Sequence, residues 1–209
     1  MPDRAHWDNV YASRPIDSLS WHQQGGGLSL EWILQMDLPL SAAIIDVGGG
    51  TSRLVDELVT AGFHDLTVLD LSLQALETSR SRLRGAGDQV SWLAEDITQI
   101  DLAPARFDLW HDRAVFHFLT EATDRQAYVA RLHRSLRPGG WVIMATFADS
   151  GPERCSGLPV MRYGPDSLHA ALTLGADLRL IQSATEHHTT PGGAVQDFNF
   201  CLFERPRVP

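Results

Sequence analysis

The sequence is poor in cysteine and in long apolar runs. Its two cysteines, Cys155 and Cys201, are too few for a disulfide framework and are typical of a reducing compartment. No apolar run reaches the length of about 18 residues that a membrane span needs, and the first eight residues lack the apolar stretch of a signal peptide. We therefore expect a cytoplasmic protein with no membrane partner.

Basic residues are also scarce, because 17 Lys and Arg stand against 26 Asp and Glu and give a formal net charge of −9. A nucleic-acid surface needs clustered Lys and Arg to meet phosphates, so no nucleic-acid partner is expected. Apolar residues make up 44% of the 209, enough to form the core of a single domain. We expect that domain to comprise an N-terminal cap over 1–40 and a core over 41–209.

Residues 42–54 predict a buried strand, a tight glycine turn and a helix. An apolar run ends at Asp46-Val47, the glycines 48–50 follow, and from Ser52 the apolar positions recur at helical spacing. Glycines let a ligand approach bare backbone N–H groups at the start of a helix. The turn lacks the Gly-Lys-Ser/Thr of a P-loop. Arg53 stands where a dinucleotide fingerprint has its third small residue, which disfavours a nicotinamide oxidoreductase.

Acidic residues mark the ends of the next two predicted strands. The second strand, 66–70, ends in Asp70, and an acid at that point of a βαβ unit accepts hydrogen bonds from ribose hydroxyls. A third strand, about 89–94, is followed by Asp96 and Ile97. Ligands of open α/β sheets lie beyond the carboxyl ends of the strands, so these groups predict a binding site at that edge.

The glycine turn, Asp70 and the Asp96-Ile97 pair, taken in this order, resemble the class I S-adenosylmethionine-dependent methyltransferases from about residue 42 onward. The resemblance implies an α/β Rossmann-like fold, with a seven-stranded, mostly parallel sheet, an antiparallel last strand, helices on both faces and here an N-terminal helical cap. It implies S-adenosyl-L-methionine as cofactor, with the glycine turn at its methionine part, Asp70 at the ribose and the Asp96-Ile97 pair at the adenine. The predicted cofactor-binding residues are Tyr11, Trp21, Asp46, Gly48, Gly49, Gly50, Asp70, Leu71, Asp96, Ile97 and His111.

The N-terminal 40 residues are rich in aromatic side chains, among them Trp7, Tyr11 and Trp21, and contain the glycines 25–27. The segment is either an apolar cap packed on the domain or a lid that moves at the glycines. Trp7, Tyr11 and residues 20–23 resemble the entry segment of thiopurine-methyltransferase-like proteins. That resemblance implies that Tyr11 and Trp21 approach the cofactor.

The turn after the fourth predicted strand, 107–111, concentrates His111, Asp112, Arg113 and His117. We predict that these four form the catalytic group, because this strand end faces the ligand. A histidine has a suitable pKa to act as base; Asp112 either holds an ammonium group or caps a helix, and Arg113 either clamps a carboxylate or pairs with Asp112. The spacing matches no strong metal-ligand motif, so no metal is predicted.

The remaining chain predicts a helix over 124–136 that ends at the turn 137–140, and a strand over 141–146. A substrate loop follows over 148–164 and a short helix over 165–174. Two strands, 178–187 and 196–204, then form a hairpin.

The methyl acceptor has two interpretations. A small thiol, amine or acid fits an enclosing aromatic segment. A protein lysine fits the turn Asp112-Arg113-Ala114, which resembles the Asp-Lys/Arg-Gly turn of lysine methyltransferases related to the citrate synthase and elongation factor enzymes. Here Ala114 replaces the glycine and Val115 the usual Thr. A regulatory module that binds S-adenosylmethionine without turnover is the non-enzymatic alternative.

Overall fold

The computed structural model describes residues 3–174 and 177–207. The helices are α1 (Arg4–Ser13), α2 (Gly27–Gln35), α3 (Leu54–Thr60), α4 (Leu73–Leu83), α5 (Ala122–Ser135) and α6 (Pro165–Leu172). The strands are β1 (Ala43–Val47), β2 (Asp65–Asp70), β3 (Val90–Ala94), β4 (Phe107–Arg113), β5 (Leu136–Phe147), β6 (Arg154–Cys155), β7 (Leu158–Pro159), β8 (Arg179–Thr189) and β9 (Val195–Glu204). Short 3-10 turns cover Ile16–Ser18, Arg84–Gln89 and Phe116–Phe118. None of the described helices has the length and apolarity needed to cross a membrane.

Seven strands form one sheet in the order β3-β2-β1-β4-β5-β9-β8. Strands β1 to β5 pair in parallel, and β9 pairs antiparallel with both β5 and β8. This confirms the predicted Rossmann-like sheet. The strand order reverses between β1 and β4, where the register sets Asp46 beside His111 and Val47 beside Asp112. Ligands of such sheets bind at this switch point, beyond the carboxyl ends of the strands.

Each face of the sheet has its own hydrophobic core, because neighbouring residues of a strand point to opposite faces. On one face Ile45 and Trp110 pack with Leu132 of α5. On the other face Ile44 and Leu109 pack with helices α2, α3 and α4. The alternation along β4 therefore assigns its successive side chains to different surroundings.

Two segments differ from the sequence-based expectation. The segment 148–164, expected to be irregular, contains the small antiparallel pair β6 and β7. Residues 137–140, expected as a turn before a strand, lie inside β5, where the pairing with β4 jumps from Leu136 to Trp141. Arg205 stabilises this bulge, because its backbone exchanges hydrogen bonds with Gly139 N and the Gly140 carbonyl oxygen (2.8 Å each). Its Nη1 also donates to the carbonyl oxygen of His133 (2.5 Å), one of the last carbonyls of α5.

The N-terminal segment covers the carboxyl edge of the sheet. Its Trp7 ring contacts Phe118 edge to face, with ring centroids 5.1 Å apart. Arg4 donates to the carbonyl oxygen of Ala94 at the end of β3 (2.6 Å). Gly26 precedes α2 and donates its N–H to Glu57, whose carboxylate would lie 2.5 Å from an added Cβ. Gly25 and Gly26 thus allow close packing on α3, which gives these two glycines a local structural reason alongside the hinge hypothesis.

Candidate active site

Two connected cavities lie under the N-terminal segment at the carboxyl edge of the sheet. The first, which we term the apolar chamber, has Trp7, Trp21 and Phe118 in its wall. The second, termed the polar chamber, includes Asp46 and His111. Their empty volumes are about 680 Å³ and about 600 Å³, and both figures include space that is open to solvent. Four residues line both chambers: Tyr11, Trp21, Gly48 and Arg113.

Most of the predicted cofactor-binding residues line one chamber or the other. They are Tyr11, Trp21, Asp46, Gly48, Gly49, Asp70, Leu71, Ile97 and His111. Gly50 and Asp96 are outside both linings. Asp96 accepts hydrogen bonds from Thr98 N (2.7 Å) and Gln99 Nε2 (2.9 Å), so its carboxylate holds the turn after β3. Its neighbour Glu95 lines the apolar chamber instead, and as a strand-end acid it carried a signal that the sequence prediction did not use.

The glycine turn after β1 is built so that backbone alone faces the chambers. Gly48 has φ +71°, and a Cβ added to it would lie 2.0 Å from Cγ2 of Val115. Gly50 has φ +41°, and an added Cβ would lie 2.6 Å from the Tyr11 hydroxyl. Because L side chains rarely adopt such φ values and no space exists for them, both positions require glycine. The turn is therefore held against β4 on one side and the cap on the other.

Asp46 and His111 form a buried chain of polar groups in the polar chamber. Nδ1 of His111 lies 2.7 Å from Oδ1 of Asp46, and its Nε2 lies 2.8 Å from Oγ of Ser29 in α2. Both ring nitrogens are thus engaged, which fixes the orientation of the imidazole. Oδ2 of Asp46 is buried without a hydrogen-bond partner. Ser29 comes from a distant element and had no signal in the sequence.

Asp70 ends β2 and lines the apolar chamber. Its Oδ1 accepts a hydrogen bond from Ser72 N (2.8 Å). Burial raises the pKa of Asp70 to about 7, opposed mainly by the backbone N–H of Ser72, while the charges of Asp46 and Asp8 raise it further. The carboxyl is therefore close to its titration point near neutral pH.

Asp112 points to the opposite face of β4 from His111 and is fully buried. Its carboxylate accepts hydrogen bonds from Val115 N (2.9 Å), Phe116 N (3.1 Å) and the Tyr128 hydroxyl (2.5 Å). Trp110 Nε1 in turn donates to that hydroxyl (2.9 Å). Asp112 lines neither chamber, so the structure does not bring it to the predicted catalytic group; it caps the turn that follows β4.

His117 also lies outside both chambers. Its ring is surrounded by Phe118, Phe147 and Phe198, and Nδ1 lies 3.3 Å from Phe147 N. Burial, with a smaller effect of the Arg113 charge, lowers the pKa of His117 to about 3. The imidazole is therefore neutral at physiological pH and packs as part of the core. Of the four predicted catalytic residues, only His111 and Arg113 face the chambers.

The turn after β4 has an unusual backbone. Ala114 has φ +73°, in the left-handed region that favours glycine. Its N–H donates to the carbonyl oxygen of Ala145 (2.9 Å), and the residue lines the apolar chamber. Ala114 therefore has the left-handed backbone conformation that glycine usually adopts.

Cys155 of β6 lines the apolar chamber, so the segment 148–164 does reach the cavity wall. Burial raises the pKa of its thiol to about 11, which keeps it protonated near neutral pH. Among residues 3–174 and 177–207, no three His, Cys, Asp or Glu side chains converge as a metal site would require.

Comparison with known proteins places residues 44–140 in the family model described as a methyltransferase domain. The chain is similar to human EEF1A lysine methyltransferase 2, with 25% identity over 158 residues, 68% of this chain and 66% of that protein. It is also similar to malonyl-[acyl-carrier protein] O-methyltransferase of Pseudescherichia vulneris, with 35% identity over 51% of this chain and 39% of that protein. The chain thus spans about two thirds or less of these relatives.

A solved structure shares the fold along nearly the whole chain. It is 1,6-didemethyltoxoflavin-N1-methyltransferase of Burkholderia thailandensis, with bound 1,6-didemethyltoxoflavin and S-adenosylhomocysteine. The TM-score is 0.75 at 20% sequence identity, and the match covers 97% of this chain and 87% of that one.

Proposed function

We propose that this chain, a member of the class I S-adenosylmethionine-dependent methyltransferases, transfers the methyl group to a small nucleophile enclosed in the apolar chamber. The observation that carries the proposal is the pair of chambers that meet at Gly48 and Arg113. One chamber has the polar groups for an amino acid moiety, and the other has an apolar wall to which the N-terminal cap contributes Trp7, Tyr11 and Trp21. An enclosed wall of this kind favours a small thiol, amine or acid over a large acceptor.

The residues present fit S-adenosylmethionine. The glycine turn lets a ligand approach the backbone closely because no Cβ stands in the way, and the unpartnered Oδ2 of Asp46 suits an ammonium group in the polar chamber. In this proposal Asp70 accepts hydrogen bonds from ribose hydroxyls, and Leu71 and Ile97 form apolar walls for the adenine. When bound, the cofactor supplies an electrophilic methyl group on a sulfonium.

The chain contributes mainly orientation to the proposed reaction. His111 has both ring nitrogens engaged by Asp46 and Ser29, and His117 is buried outside the chambers. Among the described residues, no histidine lines the apolar chamber. Acceptors that lose their proton readily, such as acids and thiols, therefore fit this wall better than acceptors that need a strong base. Alignment of the two reactants then supplies much of the acceleration.

A protein lysine is the second candidate acceptor. It is favoured by the similarity to human EEF1A lysine methyltransferase 2 and by the left-handed conformation of Ala114, where the resembling lysine methyltransferases have glycine. In this alternative the N-terminal segment would have to move, because Trp7 and Trp21 cover the chamber. The two candidates thus differ in what the cap must do.

The test combines binding with turnover. Calorimetry should show binding of S-adenosylmethionine and S-adenosylhomocysteine, and a raised melting temperature in their presence, whereas NAD should do neither. Transfer of a labelled methyl group is then measured on a panel of thiols, acids and amines and on protein from cell lysate. Products confined to the small molecules support the proposal. Label found only in protein would favour the lysine alternative, and stabilisation by NAD alone would contradict the cofactor.

A further inference from the structure

Arg113 is a buried cation whose hydrogen-bonding capacity is mostly unused. Nη1 donates to the carbonyl oxygen of Trp21 (3.1 Å), and the guanidinium carbon lies 4.6 Å from the centroid of the Phe198 ring. Nε and Nη2 are buried without a hydrogen-bond partner. Nη2 forms an ion pair with Oε1 of Glu186 at 3.7 Å, and Glu186 also accepts a hydrogen bond from Gln23 Nε2 (2.9 Å). A guanidinium has five N–H donors in a planar fork, and most of the five make no close hydrogen bond to the described residues.

Burying a guanidinium with unsatisfied donors costs free energy, and the ion pair with Glu186 and the contact with the Phe198 ring offset part of that cost. Burial lowers the pKa of Arg113, and the charge of Glu186 opposes this shift. Unsatisfied buried donors are rare in proteins and call for an explanation. The side chain lies where the two chambers meet, and it is the only cationic group in the described lining of the apolar chamber. The acids of that lining are Asp70 at the end of β2 and Glu95 just after β3, both on the proposed cofactor side.

We infer that Arg113 binds a carboxylate of the methyl acceptor, and that the acceptor is a small acid with a flat apolar body. The inference deepens the proposed function and rests on it. A carboxylate matches the two unpartnered donors of the fork, Nε and Nη2, in a bidentate pair. The apolar body packs against the wall formed by Trp7, Trp21 and Phe118, where Trp7 contacts Trp21 and Phe118 edge to face at centroid distances of 5.8 Å and 5.1 Å.

The same cation discriminates against a lysine acceptor. A lysine ammonium that reached the chamber would lie near a guanidinium buried from solvent, where like charges repel more strongly than in water. The nearest acid to the guanidinium, Glu186, is already shared with Gln23. Arg113 therefore favours the small-acid acceptor over the protein lysine.

Two carboxylates compete as the ligand of Arg113, that of the acceptor and that of the methionine part of the cofactor. The following experiment separates them. Benzoate and its neutral analogue benzamide serve as probes for the acceptor site, titrated against the full chain saturated with S-adenosylhomocysteine and followed by ligand-observed NMR. S-adenosylhomocysteine itself is titrated by calorimetry. Arg113→Met keeps the length of the side chain without the charge, and Arg113→Lys keeps the charge without the fork. Arg106→Met, just before the other end of β4 and paired with Asp65, is the matched control.

We expect wild-type protein to bind benzoate at least tenfold more tightly than benzamide. Arg113→Met should lose about tenfold to a hundredfold in benzoate affinity with benzamide unchanged, and Arg113→Lys should lie between. Affinity for S-adenosylhomocysteine should change less than about threefold, and Arg106→Met should behave as wild type. Equal binding of benzoate and benzamide overturns the inference. So does a tenfold loss of S-adenosylhomocysteine affinity in Arg113→Met with the benzoate preference intact, since the carboxylate is then the cofactor's. The proposed function is tested separately by the transfer of labelled methyl groups, and it fails if no acceptor is methylated.

Discussion

The ends of β2 and β4 carry the same kind of group in different surroundings. Each strand ends in a buried aspartate at the carboxyl edge of the sheet, Asp70 on β2 and Asp112 near the end of β4, and burial raises the pKa of both, to about 7 and about 6. Asp112 accepts from two backbone N–H groups and from Tyr128. Asp70 accepts from the backbone N–H groups of Ser72 and Gly50, has no side-chain donor among the described residues, and faces a cavity.

Burial of an ionisable group therefore does not by itself identify a ligand-binding residue. What distinguishes the two aspartates is the hydrogen-bonding capacity left over after the fold has formed. The carboxylate of Asp112 accepts its hydrogen bonds from Tyr128 and the turn that follows β4, whereas the carboxylate of Asp70 can still accept hydrogen bonds from a ligand in the apolar chamber. The same criterion separates Arg113, with two unpartnered donors, from the engaged His111.

The largest expected effect is on stability, at Asp112. Asp112→Ala leaves the Tyr128 hydroxyl and the N–H groups of Val115 and Phe116 without their acceptor, so the free energy of unfolding should fall by about 3–5 kcal/mol. Asp101→Ala is the control, because its side chain is 86% exposed and its loss should cost less than about 0.5 kcal/mol. Urea unfolding measures both. A variant as stable as wild type but without turnover would place Asp112 in the chemistry instead.

The next effect is on cofactor affinity, at Asp70. Asp70→Ala removes the acceptor proposed for the ribose hydroxyls and should weaken S-adenosylhomocysteine binding by about tenfold to a hundredfold, or roughly 1.5–3 kcal/mol. Asp65→Ala, at the other end of β2 and paired with Arg106, should leave the affinity unchanged. Calorimetry on the folded variants decides the comparison. Wild-type affinity in Asp70→Ala would move ribose recognition to another residue, with Glu95 the first candidate.

Titration of Asp70 should make cofactor binding depend on pH. Its pKa is raised to about 7, and only the ionised carboxylate accepts from both ribose hydroxyls, so affinity should fall about tenfold between pH 8 and pH 6. The contribution of this group to stability without cofactor has the opposite sign. The raised pKa stabilises the folded protein in acid, and that contribution is lost as pH rises through 7. Calorimetry from pH 6 to pH 8 checks the affinity, and Asp70→Asn should show a flat profile; equal slopes in both proteins would assign the titration elsewhere.

The predicted sheet is confirmed, because it follows from local patterns. The glycine turn after β1 and the acid at the end of β2 are equally local patterns, so the cofactor side is predicted without knowledge of distant contacts, and its residue roles stay predictions. The catalytic group at the turn after β4 also stays a prediction, and the structure divides its four residues between different surroundings. Strand alternation already separates His111 and Arg113 from Asp112, and applying it would have divided the predicted group. The partners that decide each role, Ser29 for His111 and Tyr128 for Asp112, come from remote helices and leave no local signal.

The smallest expected effect is on stability, at Ala114, which follows β4 and lines the apolar chamber. An alanine at φ +73° carries a steric penalty that glycine avoids, whereas glycine loses more conformational entropy on folding. The net expectation for Ala114→Gly is a gain of about 0.5–1 kcal/mol in the free energy of unfolding. Ala130→Gly, at an exposed position inside α5, is the control and should lose about 1 kcal/mol. Urea unfolding of both variants measures the two changes in the free energy of unfolding, which are expected to have opposite signs. If Ala114→Gly also loses stability, the packing of the Ala114 methyl group contributes more than the backbone strain costs. The turn after β4 is then held by side-chain contacts in addition to the hydrogen bonds of Asp112.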